Sequence, residues 1–165
     1  MKTIISILSI LVMLSGCNNR MKMVTITPEI SITLPKNFSV IEQNPSGSLI
    51  YEARLDSDLI KIATVPFTEP KTASPDSLRE FFRKNVDMFM DTFNHDETDS
   101  SYLFKGNLMQ CNLNFDFEKQ GRHCWYSGQI MALKQKFVII SYYSINPAAS
   151  EQRKDMILSS VRVKI

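Results

Sequence analysis

Met109-Gln110-Cys111-Asn112-Leu113-Asn114-Phe115-Asp116-Phe117 sets an apolar residue at every odd position and a polar one at every even position. A period of two marks a strand whose successive side chains point to opposite faces, so one face meets a core and the other water. One wet face is characteristic of antiparallel sheet. Glu118 to Arg122, containing Gly121, turns the chain back into a second strand, His123 to Leu133. Phe137 to Ile145 then breaks the alternation: Val138, Ile139 and Ile140 run without interruption, and Tyr142 and Tyr143 follow. A strand apolar on both sides is covered on both sides, and its expected place is the centre of the sheet.

Outward from this meander the elements are shorter. Ile26, Ile30, Ile32 and Leu34 share one parity in a strand-like run from Val24, whose early part Pro28 weakens because proline donates no ladder hydrogen bond. Pro35-Lys36-Asn37 makes a turn, Phe38 to Ile41 a short extended piece, and Asn44 to Ser48 a loop. Leu49 to Arg54 and Leu59 to Phe67 read as a hairpin around Asp56-Ser57-Asp58. A helix is predicted from Pro75, capped by Ser74, with Asp76 in its first turn and Leu78, Phe82, Val86, Phe89 and Phe93 at helical spacing. It should end near Asn94, ahead of a polar loop from His95 to Ser100. A second helix opens at Pro147-Ala148-Ala149-Ser150, with Met156, Ile157 and Val161 as its expected buried stripe, and Arg162 to Ile165 closes in extended form. Strands, a helix, strands and a helix make an α+β domain with a mainly antiparallel sheet.

The first residues obey a different grammar. Lys2 is followed by an almost wholly apolar run from Ile4 to Met13, too short to span a bilayer but of the length of a signal-peptide core. Leu14-Ser15-Gly16-Cys17 then looks like a lipobox. In bacterial lipoproteins this tetrapeptide implies attachment of diacylglycerol to the cysteine, cleavage just before it and acylation of the new N-terminus. More than one acyl chain gives lasting anchorage without a transmembrane helix. The expected organisation is a signal peptide at 1–16, a lipidated tether at 17–23 and one domain at 24–165. No Asp follows Cys17, which favours the outer membrane where the source has one. The expected location is the cell envelope, on a membrane.

Charge and composition exclude other classes. Lys and Arg number 19 against 17 Asp and Glu, with no block of either sign, so the footprint of a nucleic-acid binder is missing. Hydrophobic residues make up 44%, which argues for a folded domain rather than a disordered chain. No internal repeat is present.

The layout resembles a known group. The strand ending in Ile32-Thr33-Leu34-Pro35, the Phe38-Ser39-Val40 step, the hairpin, the capped helix, the long meander and the closing Met156-Ile157-Leu158-Ser159-Ser160-Val161 are similar, in order and pattern, to the PsbP-like and DcrB-like families. The resemblance covers residues 24–165. It implies a curved antiparallel sheet flanked by helices on both faces, an α-β-α sandwich. It also implies a non-enzymatic role as an assembly factor, accessory subunit or small binding module. It carries no catalytic motif, so no site residue is transferred from it.

The chemistry-bearing residues are few. His95 lies near Asp96, Glu97 and Asp99, but neither zinc spacing nor a calcium-loop glycine accompanies them, and the expected state is a solvated loop. His123 and Cys124 are adjacent in a strand and point to opposite faces, so the imidazole is poorly placed to activate the thiol. If the hairpin sets Phe117 opposite His123, Cys111 falls opposite residue 129 and Cys124 opposite 116, too far apart for a disulfide. Hydrolase, P-loop, dinucleotide, zinc-protease and paired CxxC motifs are all missing. No catalytic residue, metal or cofactor is expected. Trp125, Tyr142 and Tyr143 are the candidate binding surface. Asn37-Phe38-Ser39 matches a glycosylation sequon that is accidental beside a bacterial lipobox. The reading that follows is a membrane-anchored module holding a protein partner. A small-ligand carrier or enzyme with a pocket between helix and sheet is the competing class.

Overall fold

Strand order, taken from a computed structural model, puts the uninterrupted apolar run at the middle. Residues 21–43, 48–68, 74–93, 95 and 98–164 are described; the expected signal segment, the lipobox-like tetrapeptide and Cys17 lie outside them. The strands are β1 (Met21–Thr27), β2 (Ile30–Pro35), β3 (Ser39–Gln43), β4 (Leu49–Leu55), β5 (Asp58–Pro66), β6 (Thr98–Lys105), β7 (Leu108–Lys119), β8 (Arg122–Leu133), β9 (Lys136–Ser144) and β10 (Arg162–Val163). Two helices, α1 (Pro75–Met90) and α2 (Pro147–Ser159), complete the set. The large sheet has seven strands in the order β3-β4-β5-β9-β8-β7-β6, and β9 is fourth. All its neighbouring pairs are antiparallel.

Two cores form because the large sheet is covered on both faces. Under α1, Phe82 and Val86 pack on Cys111, Leu113, Phe115, Phe117, Tyr126, Ile130 and Phe137. On the other face, Ile60, Ile62, Met131, Val138, Ile140 and Tyr142 meet Ile157 of α2 and the inner side of a second sheet, β1-β2-β10, which contributes Ile26, Ile30, Ile32 and Leu34. The apolar residues of matching parity in the N-terminal run therefore cap the second core. The α+β fold class with helices on both faces is as the sequence predicts; the small second sheet is additional.

Local rules account for the boundaries. Ser74 accepts a hydrogen bond from the Ser77 N–H at 3.2 Å and Pro75 opens α1. The helix stops at Met90, with Asp91 as its C-cap, and Phe93 continues into the core. Asn146 caps α2, whose Pro147 occupies the first turn.

Several sequence expectations are corrected. Pro28 does not weaken one strand; Pro28 and Glu29 form the turn between β1 and β2, where the Thr27 hydroxyl accepts from the Glu29 and Ile30 N–H groups. Met21 to Met23 belong to β1 rather than to a tether. Thr98 to Ser100 open β6 rather than extend a loop. Met156 is 47% exposed, so Ser150 and Ile157 are the buried positions of α2. Among the described residues, no helix is long and apolar enough to cross a membrane.

Candidate functional site

α2 packs on β8 and β9, and the wet face of β7 and β6 beside it stays open. The uncovered side chains there are the polar half of the alternation, Asn114 and Asp116 of β7, together with Asp99 of β6 and His123 and Trp125 of β8. The flank of α2, from Pro147 to Lys154, makes the opposite wall. The result is an open groove of about 1050 Å³.

Trp125 is its aromatic element. It pairs across the sheet with Asp116 on one side and Ser144 on the other. The His123 ring meets the indole edge-on with centroids 4.4 Å apart, and His123 Nε2 lies 3.3 Å from Asp116 Oδ2. Both of these side chains are more than half exposed (51% and 57%), so their attraction is screened by water. Asp99, Asp116 and Glu151 set three carboxylates in the groove against Lys154 and His123. Chemically the groove offers the half-buried Trp125 indole and the exposed His123 imidazole, amide and hydroxyl groups, and a mildly acidic lining. Among the described residues no three His, Cys, Asp or Glu side chains are grouped as a metal would need.

A buried polar cluster fixes the α2 wall. Asp58, the first residue of β5, accepts a hydrogen bond from the Tyr142 hydroxyl at 2.5 Å and is ion-paired with Arg153 Nη1. Arg153 Nη2 reaches Asp56 at 3.1 Å, so one guanidinium on α2 clamps the turn between β4 and β5. Ser144 and Ser150 hydroxyls lie 2.6 Å apart and tie α2 to the end of β9. Burial pushes the Asp58 carboxyl up, but hydrogen bonds from Tyr142, Ser150, Ser144 and Arg153 outweigh it, and its pKa is lowered. The Tyr142 phenol is raised, by burial first and then by its bond to the Asp58 carboxylate.

The three sequence-predicted aromatics do not form one surface. Trp125 lines the groove. Tyr142 borders the same groove but is 2% exposed and holds Asp58. Tyr143 points to the α1 face, packed against Tyr126 and Phe117. Asp58 and Arg153 escaped the sequence reading, because an Asp in a hairpin turn and an Arg on a helix both look solvated. Asn114 and Asp116 were legible as the wet half of β7.

Cys111 and Cys124 are free and buried, but the predicted register is off by one. Gln120 and Gly121, both at positive φ (54° and 71°), form a two-residue turn that sets Phe117 opposite Cys124 and Cys111 opposite Ile130. Both thiols therefore face α1, six strand positions apart, about 20 Å. His123 and Cys124 do point to opposite faces. His95 is not a freely solvated loop residue: its ring lies 5.1 Å from that of Phe115, and Nδ1 is 3.1 Å from the Thr98 hydroxyl.

No family model matches the chain, and no curated protein matches it by sequence. Solved structures do. The chain is similar to the cyanobacterial PsbP protein (CyanoP) of Synechocystis sp. PCC 6803, with a TM-score of 0.54 at 10% identity over 88% of this chain and 93% of that one. It is also similar to LpqN, involved in cell envelope biogenesis of Mycobacterium tuberculosis (TM-score 0.48, 11% identity, 88% and 91% covered). A third is the Saccharomyces cerevisiae Ran-binding protein Mog1p (TM-score 0.45, 10% identity, 87% and 95% covered). The likeness to CyanoP, together with the order of strands and the two covered faces, identifies the architecture as the PsbP-like α+β fold.

Proposed function

We propose that this chain is a lipid-anchored protein of the cell envelope whose domain holds a protein partner without catalysing a reaction. The observation that carries it is Leu14-Ser15-Gly16-Cys17 at the end of an apolar leader, ahead of a domain with an open polar groove. Anchorage by Cys17 places the groove near a membrane surface, where a partner in the same envelope meets it at high effective concentration. Within the groove, His123 and Asp116 are open to solvent, and beneath its α2 wall the Asp58 carboxylate is committed to Tyr142 and Arg153, so neither setting presents a free, enclosed acid or base to a substrate.

Two measurements test the parts separately. Cys17→Ser should abolish incorporation of labelled fatty acid and release the protein from membranes; unchanged membrane association refutes the anchor. A photo-crosslinking side chain at Asn114, in the groove, should give one discrete protein adduct in intact cells. The same group at Lys84, on the exposed side of α1, should not. Equal adducts from both positions, or none from Asn114, refute the groove as the partner site.

The groove's place between α2 and the sheet, with Trp125 at its base, favours one second reading, a carrier of a small ligand. Native mass spectrometry of the protein from membranes then shows a bound small molecule that is lost in Trp125→Ala.

A further inference from the structure

The two edges of the seven-stranded sheet are built differently. β3 has a register shift between Val40 and Glu42, a device that turns an edge away from new partners. β6 has none: it runs in unbroken register with β7 from Thr98 opposite Phe115 to Lys105 opposite Leu108. It contains no proline, and its only charges, Asp99 and Lys105, stand near its ends around Ser100, Ser101, Tyr102, Leu103 and Phe104. Leu103 is 48% exposed. On the α1 side, Arg83 lies over the rings of Tyr102 and Phe104 at 5.6 and 5.5 Å, holding them against the sheet. Among the described residues, no strand pairs with the outer row of backbone N–H and C=O groups along its eight residues.

We propose that β6 pairs antiparallel with β6 of a second copy, with the two-fold axis at Tyr102. The strand is its own complement in this register. Asp99 of each copy faces Lys105 of the other, so two opposite-charge pairs form on the groove side. Tyr102 faces Tyr102 on the α1 side, and the two Leu103 side chains meet diagonally across the axis, covering the exposed apolar group. Side chains keep their faces only if paired positions share parity. Of the neighbouring registers that satisfy this, sliding by two positions one way sets Asp99 against Leu103, and the other way sets Lys105 against Ser101. The charges select the first. Backbone hydrogen bonds then run from one sheet into the next, and the two grooves open on the same side.

The test uses the full-length chain in membranes. With single cysteines introduced at 100, 101, 102, 103 and 104, oxidation should give a disulfide-linked dimer from Tyr102→Cys, because only that position faces itself at about 4.5–5.5 Å between Cα atoms. Asp99→Lys and Lys105→Asp should each lower dimer yield about tenfold, since both pairs become repulsive, and the double variant should restore it. Tyr102→Cys removes a packed ring, so a second measurement is independent of it. A zero-length carboxyl–amine crosslinker applied to mixed isotopically light and heavy chains should join Asp99 of one to Lys105 of the other. No light–heavy crosslink, dimer yield equal at all five positions, or a crosslinked partner of another mass each overturns the proposal.

Discussion

Asp58 begins β5 in a segment that reads as an ordinary polar turn, yet its carboxylate is wholly enclosed. Removing one member of a buried pair leaves the other uncompensated. Arg153 remains 28% exposed, so Asp58→Ala should cost about 2–4 kcal/mol, at and below the range for fully buried pairs. Tyr142→Phe should cost about 1–2 kcal/mol; denaturant unfolding measures both. The lowered Asp58 pKa fixes the pH dependence. The unfolded carboxyl, near 3.9, binds its proton at a higher pH than the folded one, so the contribution is complete above about pH 5 and is lost as pH falls through the folded value. Asp58→Asn should therefore flatten the acid side of a stability–pH curve between about pH 5 and pH 2; an unchanged slope contradicts the assignment. Burial also pushes the Cys111 thiol up to about 11, so it should resist alkylation until the domain unfolds. The partners that give Asp58 its role lie 84 and 95 residues away. Nothing in the local pattern at 56–58 could announce them.

Elements were legible where a local rule decides them and illegible where a single turn residue does. Ser74, Pro75 and the helical spacing of Phe82 and Val86 are sufficient to place α1. The β7–β8 register differs by one from the sequence expectation because a two-residue turn, Gln120-Gly121, replaces the expected five-residue one. The β8–β9 turn is also of two residues, Lys134 and Gln135, at φ 47° and 61° without a glycine. Non-glycine residues in this region carry about 1–2 kcal/mol of strain. Gln135→Gly should accordingly raise the unfolding free energy by up to about 1 kcal/mol, and a loss would show that its side chain has a use not visible in the turn. Gly128 is the opposite case. A Cβ there would stand 2.2 Å from the Tyr126 hydroxyl and 2.7 Å from the Ile140 carbonyl oxygen. The phenol lies over that bare position to reach the Ser141 hydroxyl at 3.1 Å. Gly128→Ala should displace Tyr126 and cost about 1–3 kcal/mol, readable as a lower thermal midpoint.

At the scale of the molecule, one sheet serves two cores. Phe82→Ala on one face should cost about 3–5 kcal/mol and Ile140→Ala on the other about 2–5 kcal/mol. Because β9 is shared by both, calorimetry should show each variant unfolding in a single transition rather than losing one layer first. The sandwich itself was legible, since a strand apolar on both sides requires two covers. The groove was not. It exists because α2 packs over β8 and β9 and leaves the wet face of β7 and β6 uncovered, a placement that no periodicity encodes.

The central position of β9 also sets an order in time. Eight strands precede it in the chain, and the sheet's two halves, β3-β4-β5 and β8-β7-β6, meet only through it. A chain emerging N-terminus first can close its hairpins early, but it cannot join them until residues 136–144 arrive, and α2 cannot dock before that. Much of the apolar surface that both cores will bury stays uncovered in the meantime. The strand that joins the two halves of the molecule is among the last to be made.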